Sequence, residues 1–173
     1  STEKEKQNMQ RGVYKLHDIF FRFWYRFVFS NYSALEFGDW ENIYDVIVEP
    51  QLNNYVSFPF EDICIEWLRS KNKKRELPFI FTDIGRWWSK DIEIDIIATN
   101  EDKSEILSAE CKFHNSLIND SDLQKHLNKN IRSLKKKDNA VLHVWYFSWS
   151  GYTPEAREFA KKNNITLIDE NDF

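Results

Sequence analysis

The sequence holds few of the residues that build several common kinds of site. Among 173 residues there are only two cysteines and four glycines. Cys64 falls in a predicted helix and Cys111 on the apolar face of a predicted strand. We interpret both as buried, reduced thiols of a cytoplasmic protein. The glycines form no G-x-x-x-x-G-K-[ST] loop, so these residues include no P-loop nucleotide site.

A secretory signal and long apolar runs are also missing. No apolar run approaches the roughly 18 residues of a membrane span, so we expect no membrane partner. Acidic residues outnumber basic ones by 28 to 24, which gives a net charge of -4. This balance argues against a uniformly basic nucleic-acid binder but allows local basic patches. Aromatic residues are plentiful, with 7 Trp, 7 Tyr and 14 Phe, and a chain of this length allows one domain with a core.

The pattern along the chain predicts three segments. Residues 1–12 are polar and lack periodicity, which indicates a disordered segment or the cut start of an expressed fragment. Residues 13–57 form a predicted helical extension, because an apolar stripe at helical spacing runs from Tyr14 to Asn31 and shorter helical patterns follow. Residues 58–173 form the main domain.

Pro59 predicts the start of the first helix of the main domain. Proline suits the first position of a helix, and the segment from Phe60 to Lys71 continues with an apolar stripe. Glu61 lies beside that stripe. Two interpretations of Glu61 stay open: a surface carboxylate that complements the helix dipole, or a functional carboxylate.

The central feature is a predicted β-hairpin from Ile92 to Phe113. Both arms alternate apolar and polar residues, and the polar run 99–104 between them is rich in turn formers. Successive side chains of a strand point to opposite faces, so one face of the hairpin is apolar. The other face carries the polar residues Glu93, Asp95, Ser108, Glu110 and Lys112.

This polar face brings carboxylates together. The expected register has three informative pairs, which are Ala98 with Glu105, Asp95 with Ser108, and Glu93 with Glu110. Carboxylates opposite or diagonal to one another repel at about 5–8 Å, so a cation should lie among them. Lys112 or a divalent ion such as Mg²⁺, which prefers oxygen ligands, can supply that charge. The repulsion predicts that Glu110→Gln stabilises the metal-free protein.

The segments around the hairpin complete an α/β pattern. A strand is predicted to begin near Leu77, before the hairpin. Thr153 and Pro154 form an N-cap and first-position signal for a late helix. The elements after the hairpin are a helix from Leu117 to Lys137, a strand from Val141 to Phe147, a helix from Glu155 to Asn163 and a strand from Asn164 to Ile168. This order predicts a mixed central sheet flanked by helices on both faces.

Four basic residues are candidates for contacts with nucleic acid. Arg86 suits a phosphate because its guanidinium donates two parallel hydrogen bonds. Lys73 and Lys74 belong to a basic loop, and Lys136 belongs to a lysine run at the end of a predicted helix. Cations at a helix C-terminus also complement the helix dipole, so that interpretation of Lys136 stays open.

Asp95 on one strand and Glu110-Cys111-Lys112 on the next resemble the core of the PD-(D/E)xK phosphodiesterase superfamily. Ile94 stands where the superfamily's name has Pro, which leaves the acid intact. The predicted element order also resembles its restriction-endonuclease-like fold. The resemblance implies that Asp95, Glu110 and Lys112 are catalytic. It further implies Mg²⁺ or Mn²⁺ held by Asp95, Glu110 and the Cys111 carbonyl, with Glu61 completing the site.

A second resemblance covers nearly the whole chain. Motifs in the same order are similar to the C-terminal domain of unknown function carried by archaeal-type ATPases of archaea and bacteria. These motifs are Tyr14-x-Leu16-x-Asp18-x-Phe20, Phe60-Glu61, Ile84-Gly85-Arg86-Trp87-Trp88, Glu93-Ile94-Asp95, Glu110-Cys111-Lys112 and Ser148-x-Ser150-Gly151-Tyr152-Thr153. The resemblance implies ATPase and winged-helix domains as partners, and neither is visible in this sequence.

The two resemblances together imply a metal-dependent nuclease domain that hydrolyses DNA phosphodiester bonds and belongs to an ATPase. DNA is then the expected partner, bound weakly by this chain because its basic clusters are dispersed. The alternative is a catalytically silent nucleic-acid-binding or regulatory docking module of such an ATPase. Clustered like charges favour the enzyme, whereas the acidic balance favours the silent module.

Overall fold

The computed structural model describes residues 18–89, 92–134 and 140–173. The chain divides into two compact units, Ser1–Gln51 and Leu52–Phe173. The predicted N-terminal segment 1–12 lies outside the described residues. Within the described ranges, no helix is both long and apolar enough to span a membrane.

The described part of the first unit is almost entirely helical. Asp18 caps its first helix, because the Asp18 carboxylate accepts the Phe21 N–H at 3.1 Å. The single helix predicted up to Asn31 is an α-helical, a π-helical and a 3₁₀ segment in succession. The segments of this unit are α1 (Ile19–Phe23), a π-helix (Trp24–Val28), a 3₁₀-helix (Phe29–Asn31), α2 (Tyr32–Glu36), α3 (Trp40–Ile43) and a π-helix (Tyr44–Val48).

Helix α4 runs without interruption from Glu49 to Lys74, so the prediction that a helix begins at Pro59 is wrong. An interior proline costs a helix about 3 kcal/mol, because it removes a hydrogen bond and crowds the preceding turn. Burial of Phe60 and Leu68 against the sheet offsets this cost, at about 1.5–3 kcal/mol for each side chain. Glu61 consequently lies well inside α4, where the dipole of the helix terminus has little effect.

The second unit is built on a five-stranded mixed sheet, which confirms the predicted fold class. Strand β2 is antiparallel to both of its neighbours, β1 and β3, whereas β3, β4 and β5 are parallel. Helices α5 (Asp120–Leu134) and α6 (Pro154–Lys162) make the two crossovers. The strands lie in chain order, namely β1 (Asp83–Ser89), β2 (Ile92–Thr99), β3 (Glu105–Lys112), β4 (Val141–Ser148) and β5 (Ile165–Ile168). The strand predicted near Leu77 begins instead at Asp83.

Each face of the sheet carries its own apolar core. On one face, α4 contributes Phe60, Cys64 and Leu68 to a cluster with Ile96, Ala98, Leu107, Ala109 and Cys111. On the other face, α5 and α6 cover a cluster made by Leu123, Val144, Tyr146, Ala156, Ala160 and Ile165. Cys64 and Cys111 are buried free thiols, as predicted. The helix start at Pro154 is also as predicted, because Thr153 Oγ1 accepts the Ala156 N–H at 3.2 Å.

Candidate active site

Strands β2 and β3 separate at one end of the sheet. Their ladder ends at the pair formed by Ile96 and Ala109. Beyond this pair, the N–H of Cys111 donates to Oδ2 of Asp95 at 2.8 Å. Each strand stays paired with its outer neighbour, β2 with β1 and β3 with β4. The sheet therefore opens between β2 and β3, where Asp95 lies beside the Glu110-Cys111-Lys112 segment.

The register of this hairpin differs from the predicted one by two residues. Ser108 lies opposite Ile97 and not opposite Asp95, so the predicted pairing is wrong. The loop is one residue shorter at its start than expected, because the Asn100 side chain accepts the Glu105 N–H at 3.0 Å. A shift of two residues keeps every side chain on its predicted face. Extended past its last pair, the observed register sets Asp95 across from Glu110.

Glu110 is the most heavily contacted carboxylate of the site. Oε1 lies 2.7 Å from Nζ of Lys112, and Oε2 lies 2.8 Å from Nζ of Lys129 on α5. Nδ1 of His126, also on α5, lies 3.3 Å from Oε2. Burial alone would raise the pKa of Glu110, but the His126 ring and the ammonium groups of Lys112 and Lys129 hold that pKa well below its usual range. Glu110 is therefore ionised at neutral pH.

The other two carboxylates of the predicted site behave in the opposite way. Burial and the charge of Glu110 raise the pKa of Asp95. Burial and the charge of Asp95 raise the pKa of Glu61 as well. Asp95, Glu61 and Lys112 line one cleft of about 340 Å³. The structure thus brings Glu61 from α4 toward the predicted catalytic residues, and its negative neighbours disfavour its ionisation.

Arg86 on β1 is paired with acidic residues of α4. Its Nε lies 2.6 Å from Glu61 Oε2, and its Nη2 lies 3.0 Å from Asp62 Oδ1. Although burial would lower it, the charges of Glu61 and Asp62 raise the pKa of Arg86. The residue predicted to contact a phosphate therefore lies at the site, where it neutralises a predicted metal ligand.

The remaining predicted nucleic-acid contacts are not assembled with the cleft. The prediction that Lys73 and Lys74 belong to a loop is wrong, because they form the exposed last turn of α4. They lie about 18 Å along the helix from Glu61, at about 1.5 Å per residue. Lys136 lies outside the described residues. The cleft is also lined by polar residues that the sequence did not single out, namely Asn53, Asn54 and Ser57 of α4, together with His114.

Among the described residues, no group of three or more His, Cys, Asp and Glu side chains is arranged to hold a metal ion. Two of the carboxylates are instead paired with cations, Glu110 with two lysines and Glu61 with Arg86. The donor set still fits Mg²⁺ or Mn²⁺, because both ions prefer carboxylate and carbonyl oxygens. Burial and the negative charge of a neighbouring carboxylate raise the pKa values of Asp95 and Glu61, and a bound cation would relieve the repulsive part.

Sequence reasoning missed the contribution of α5. His126, Lys129 and Asn130 follow one another at helical spacing and place three polar side chains next to β3. A signal was present, because Leu123, His126, Leu127 and Asn130 share one helical stripe. Two polar residues on an otherwise apolar stripe indicate buried partners.

The fold and the site together define the class: an α/β domain whose mixed sheet opens at a cluster of Asp, Glu and Lys. Within that class, residues 24–131 match the DUF234 model, described as archaeal and bacterial proteins of unknown function. The chain belongs to this family, which confirms the family predicted from the motifs.

Individual known proteins are similar to this chain either over only part of their own length or at low sequence identity. An uncharacterized protein of Methanocaldococcus jannaschii is 32% identical over 98% of the chain, which spans only 36% of that relative's length. The fold is similar to the crystal structure of a protein of unknown function, with 17% identity, a TM-score of 0.44, and 66% of this chain and 58% of that one covered. It is similar at the same TM-score to a repair endonuclease from Pyrococcus abyssi, with 12% identity and coverage of 61% and 44%.

Proposed function

We propose that this domain is a Mg²⁺- or Mn²⁺-dependent nuclease that hydrolyses DNA phosphodiester bonds. One observation carries the proposal. Where β2 and β3 part, the N–H of Cys111 holds the Asp95 carboxylate at 2.8 Å. Cys111 lies between Glu110 and Lys112 in the chain, so this hydrogen bond brings the Asp95 carboxylate beside the Glu-x-Lys segment. That arrangement is the one expected for a PD-(D/E)xK site.

Each residue has a role that follows from its contacts. The Cys111 N–H engages one oxygen of Asp95 and so fixes the direction of the other. Asp95, Glu110 and the Cys111 carbonyl would hold the ion, with Glu61 as a further carboxylate. The chemistry that such an ion would supply is a lowered pKa of a coordinated water and neutralisation of phosphate charge. The Lys112 side chain is 35% exposed, and its ammonium would stabilise negative charge that develops on the phosphate in the transition state.

The expected partners follow from the charge of the chain. A net charge of -4 and lysines at a distance from the cleft give little affinity for DNA. A DNA-binding domain tethered to this one supplies affinity through effective concentration. ATPase and winged-helix domains in a longer protein would serve that purpose, and the M. jannaschii relative is long enough to hold other domains. Buried free thiols accord with a cytoplasmic location.

One observation favours the second candidate, a catalytically silent docking or nucleic-acid-binding module. Lys112 and Lys129 already neutralise both oxygens of Glu110, and Arg86 neutralises Glu61. Such pairing can stabilise the fold without any metal. The two candidates differ in whether a divalent ion displaces these cations.

The test combines Mn²⁺ titration calorimetry with cleavage of supercoiled plasmid. The variants are Asp95→Asn and Lys112→Ala, and the matched control is Glu101→Gln in the exposed hairpin loop. We expect Mn²⁺ binding that Asp95→Asn weakens and the control does not. We also expect slow, Mn²⁺-dependent nicking that Lys112→Ala removes. Plasmid cleavage that survives Lys112→Ala would refute the nuclease, and Mn²⁺ binding without cleavage, even in a longer relative, would favour the silent module.

A further inference from the structure

An exposed tryptophan lies beside the candidate active site, directly after β4. Trp149 is 42% exposed. Its backbone N–H donates to the Lys112 carbonyl at 3.1 Å, just beyond the last pair of β3 with β4, which joins Lys112 to Ser148. Phe113 and His114, which follow Lys112 in the chain, line the cleft together with it. Trp149 therefore lies next to the segment that carries the Glu-x-Lys motif.

Two phenylalanine rings support the indole of Trp149. The ring centroid of Phe113 lies 5.7 Å from that of Trp149, with the planes at 31°. The ring centroid of Phe60 on α4 lies 6.3 Å away, with the planes at 86°. Phe60 is itself buried in the core between α4 and the sheet. Packing therefore accounts for part of the indole and leaves the rest in water. Single exposed apolar side chains are common at protein surfaces, so exposure alone does not define a site.

Hydrogen bonds connect the loop of Trp149 to the loop that follows β3. The Ile118 N–H donates to the Gly151 carbonyl at 3.0 Å, and Ser150 Oγ donates to the carbonyl of His114. Gly151 has a φ of +82°, a conformation that favours glycine. The two loops thus fix the position of the indole before anything binds, and such preorganisation lowers the entropic cost of binding.

The charge of these two loops suits a nucleic-acid strand. Neither the segment 113–119 nor the segment 141–154 contains an Asp or a Glu, although 28 of the 173 residues of the chain are acidic. The segments that surround Trp149 in the sequence therefore add no carboxylate that would repel a phosphate. An aromatic ring in such surroundings is the kind of surface on which single-stranded nucleic acids stack their bases.

We propose that Trp149, supported by Phe113, is a platform on which one unpaired base of the DNA substrate stacks when the adjacent phosphate lies in the cleft. Any base can stack in this way, because every base has a π face. Bases of an intact duplex are already stacked on their neighbours, so the platform selects unpaired bases. The inference rests on the proposed function and makes its substrate specific, namely a single-stranded stretch of DNA.

The test compares a fluorescently labelled thymidine strand with an abasic strand of equal length and equal charge. Binding is measured by fluorescence anisotropy in metal-free buffer of low salt, so that the strands stay intact. We expect the wild type to bind the thymidine strand about 10-fold more tightly than the abasic strand. Trp149→Ala should remove this preference and leave affinity for the abasic strand unchanged, whereas Trp149→Phe should keep most of it. The matched control is Trp88→Ala, at a tryptophan that is 73% exposed on β1, and it should retain the preference.

The outcomes separate this proposal from the proposed function. Equal affinity of the wild type for the two strands would overturn the platform, and so would a preference that Trp149→Ala leaves unchanged or an equal loss for both strands. Should Trp149→Ala fail to fold, Trp149→Leu keeps apolar contact with Phe113 without a ring and should lose the preference in the same way. If the platform is overturned, Mn²⁺-dependent nicking of plasmid still decides the proposed function. If no metal-dependent cleavage is found, the nuclease is refuted, while a preference that depends on Trp149 still establishes base stacking.

Discussion

Two carboxylates of the same site should respond in opposite ways to the same chemical change. Glu110→Gln removes a negative charge that Lys112 and Lys129 contact at 2.7 and 2.8 Å, so it should destabilise the metal-free protein. Burial and the charge of Glu110 disfavour ionisation of the Asp95 carboxyl group. Asp95→Asn removes this unfavourable charge, so it should stabilise the protein. The asparagine amide oxygen still accepts the Cys111 N–H, which keeps that hydrogen bond.

The size of the Glu110→Gln effect follows from its two ion pairs. A hydrogen bond to a charged group contributes about 1.5–3 kcal/mol. The lysine side chains are 35% and 29% exposed, so water compensates part of each loss and about 1 kcal/mol remains per pair. The total of about 2 kcal/mol corresponds to a melting temperature lowered by roughly 4–8 °C in a chain of this size.

The stability contributions of Glu110 and Asp95 should also depend on pH in opposite directions. The lowered pKa of Glu110 contributes stability that is complete above its unfolded value of about 4.3 and is lost as the pH falls below it. The raised pKa of Asp95 imposes a penalty that is absent in acid and develops as the pH rises from about 3.9 to the folded value. Both variants should therefore differ most from the wild type at neutral pH and converge with it in acid.

Urea denaturation of the metal-free proteins at pH 7 and in acid measures these differences. Glu101→Gln, in the exposed loop, serves as the control and should change the free energy of unfolding by less than about 0.5 kcal/mol. A shift of the same sign for Glu110→Gln and Asp95→Asn would refute the electrostatic account of the site. If Glu110→Gln stabilised the protein, the expectation from sequence alone would be right, namely that repulsion between carboxylates at Glu110 destabilises the metal-free protein.

Two further predictions concern DNA and the fold. Binding of duplex DNA should be weak and fall steeply with salt. If Lys73 and Lys74 both contact phosphates, replacing them together by Ala should lower by about 2 the slope of log affinity against log salt concentration, measured by fluorescence anisotropy. An unchanged slope would exclude both lysines from contact with DNA. Thr153→Ala removes the acceptor of the Ala156 N–H and should lower the free energy of unfolding by about 1 kcal/mol. An unaltered urea midpoint would show that the Thr153 cap does not stabilise the protein.

The hairpin illustrates what local sequence determines. Alternation with period two placed Asp95 and Glu110 on the polar face, and this assignment survived a register error because the error was two residues. The register itself depended on the Asn100 side chain, which closes the loop by binding the Glu105 N–H. Turn residues alone do not reveal which of their side chains makes such a bond.

Long-range pairing explains what could not be predicted. The contacts of Lys129 with Glu110 and of Arg86 with Glu61 span 19 and 25 residues, so they appear only when α5 and β1 pack beside their partners. These contacts reverse the expected effect of Glu110→Gln. The repulsion that we expected at Glu110 acts on Asp95 and Glu61 instead. Pro59 was misassigned for a similar reason, since burial of its neighbours outweighs the local penalty of proline.

The most direct test of the central claim is Mn²⁺ titration calorimetry of the wild type and Asp95→Asn. We expect Mn²⁺ to bind to the wild type and to bind at least about 10-fold more weakly to Asp95→Asn, because a carboxylate ligand and its charge are lost. Lys112→Ala should retain Mn²⁺, since it removes a competing ammonium and no ligand. Absence of binding to the wild type, or equal affinity in Asp95→Asn, would contradict the proposal that these carboxylates form a metal site.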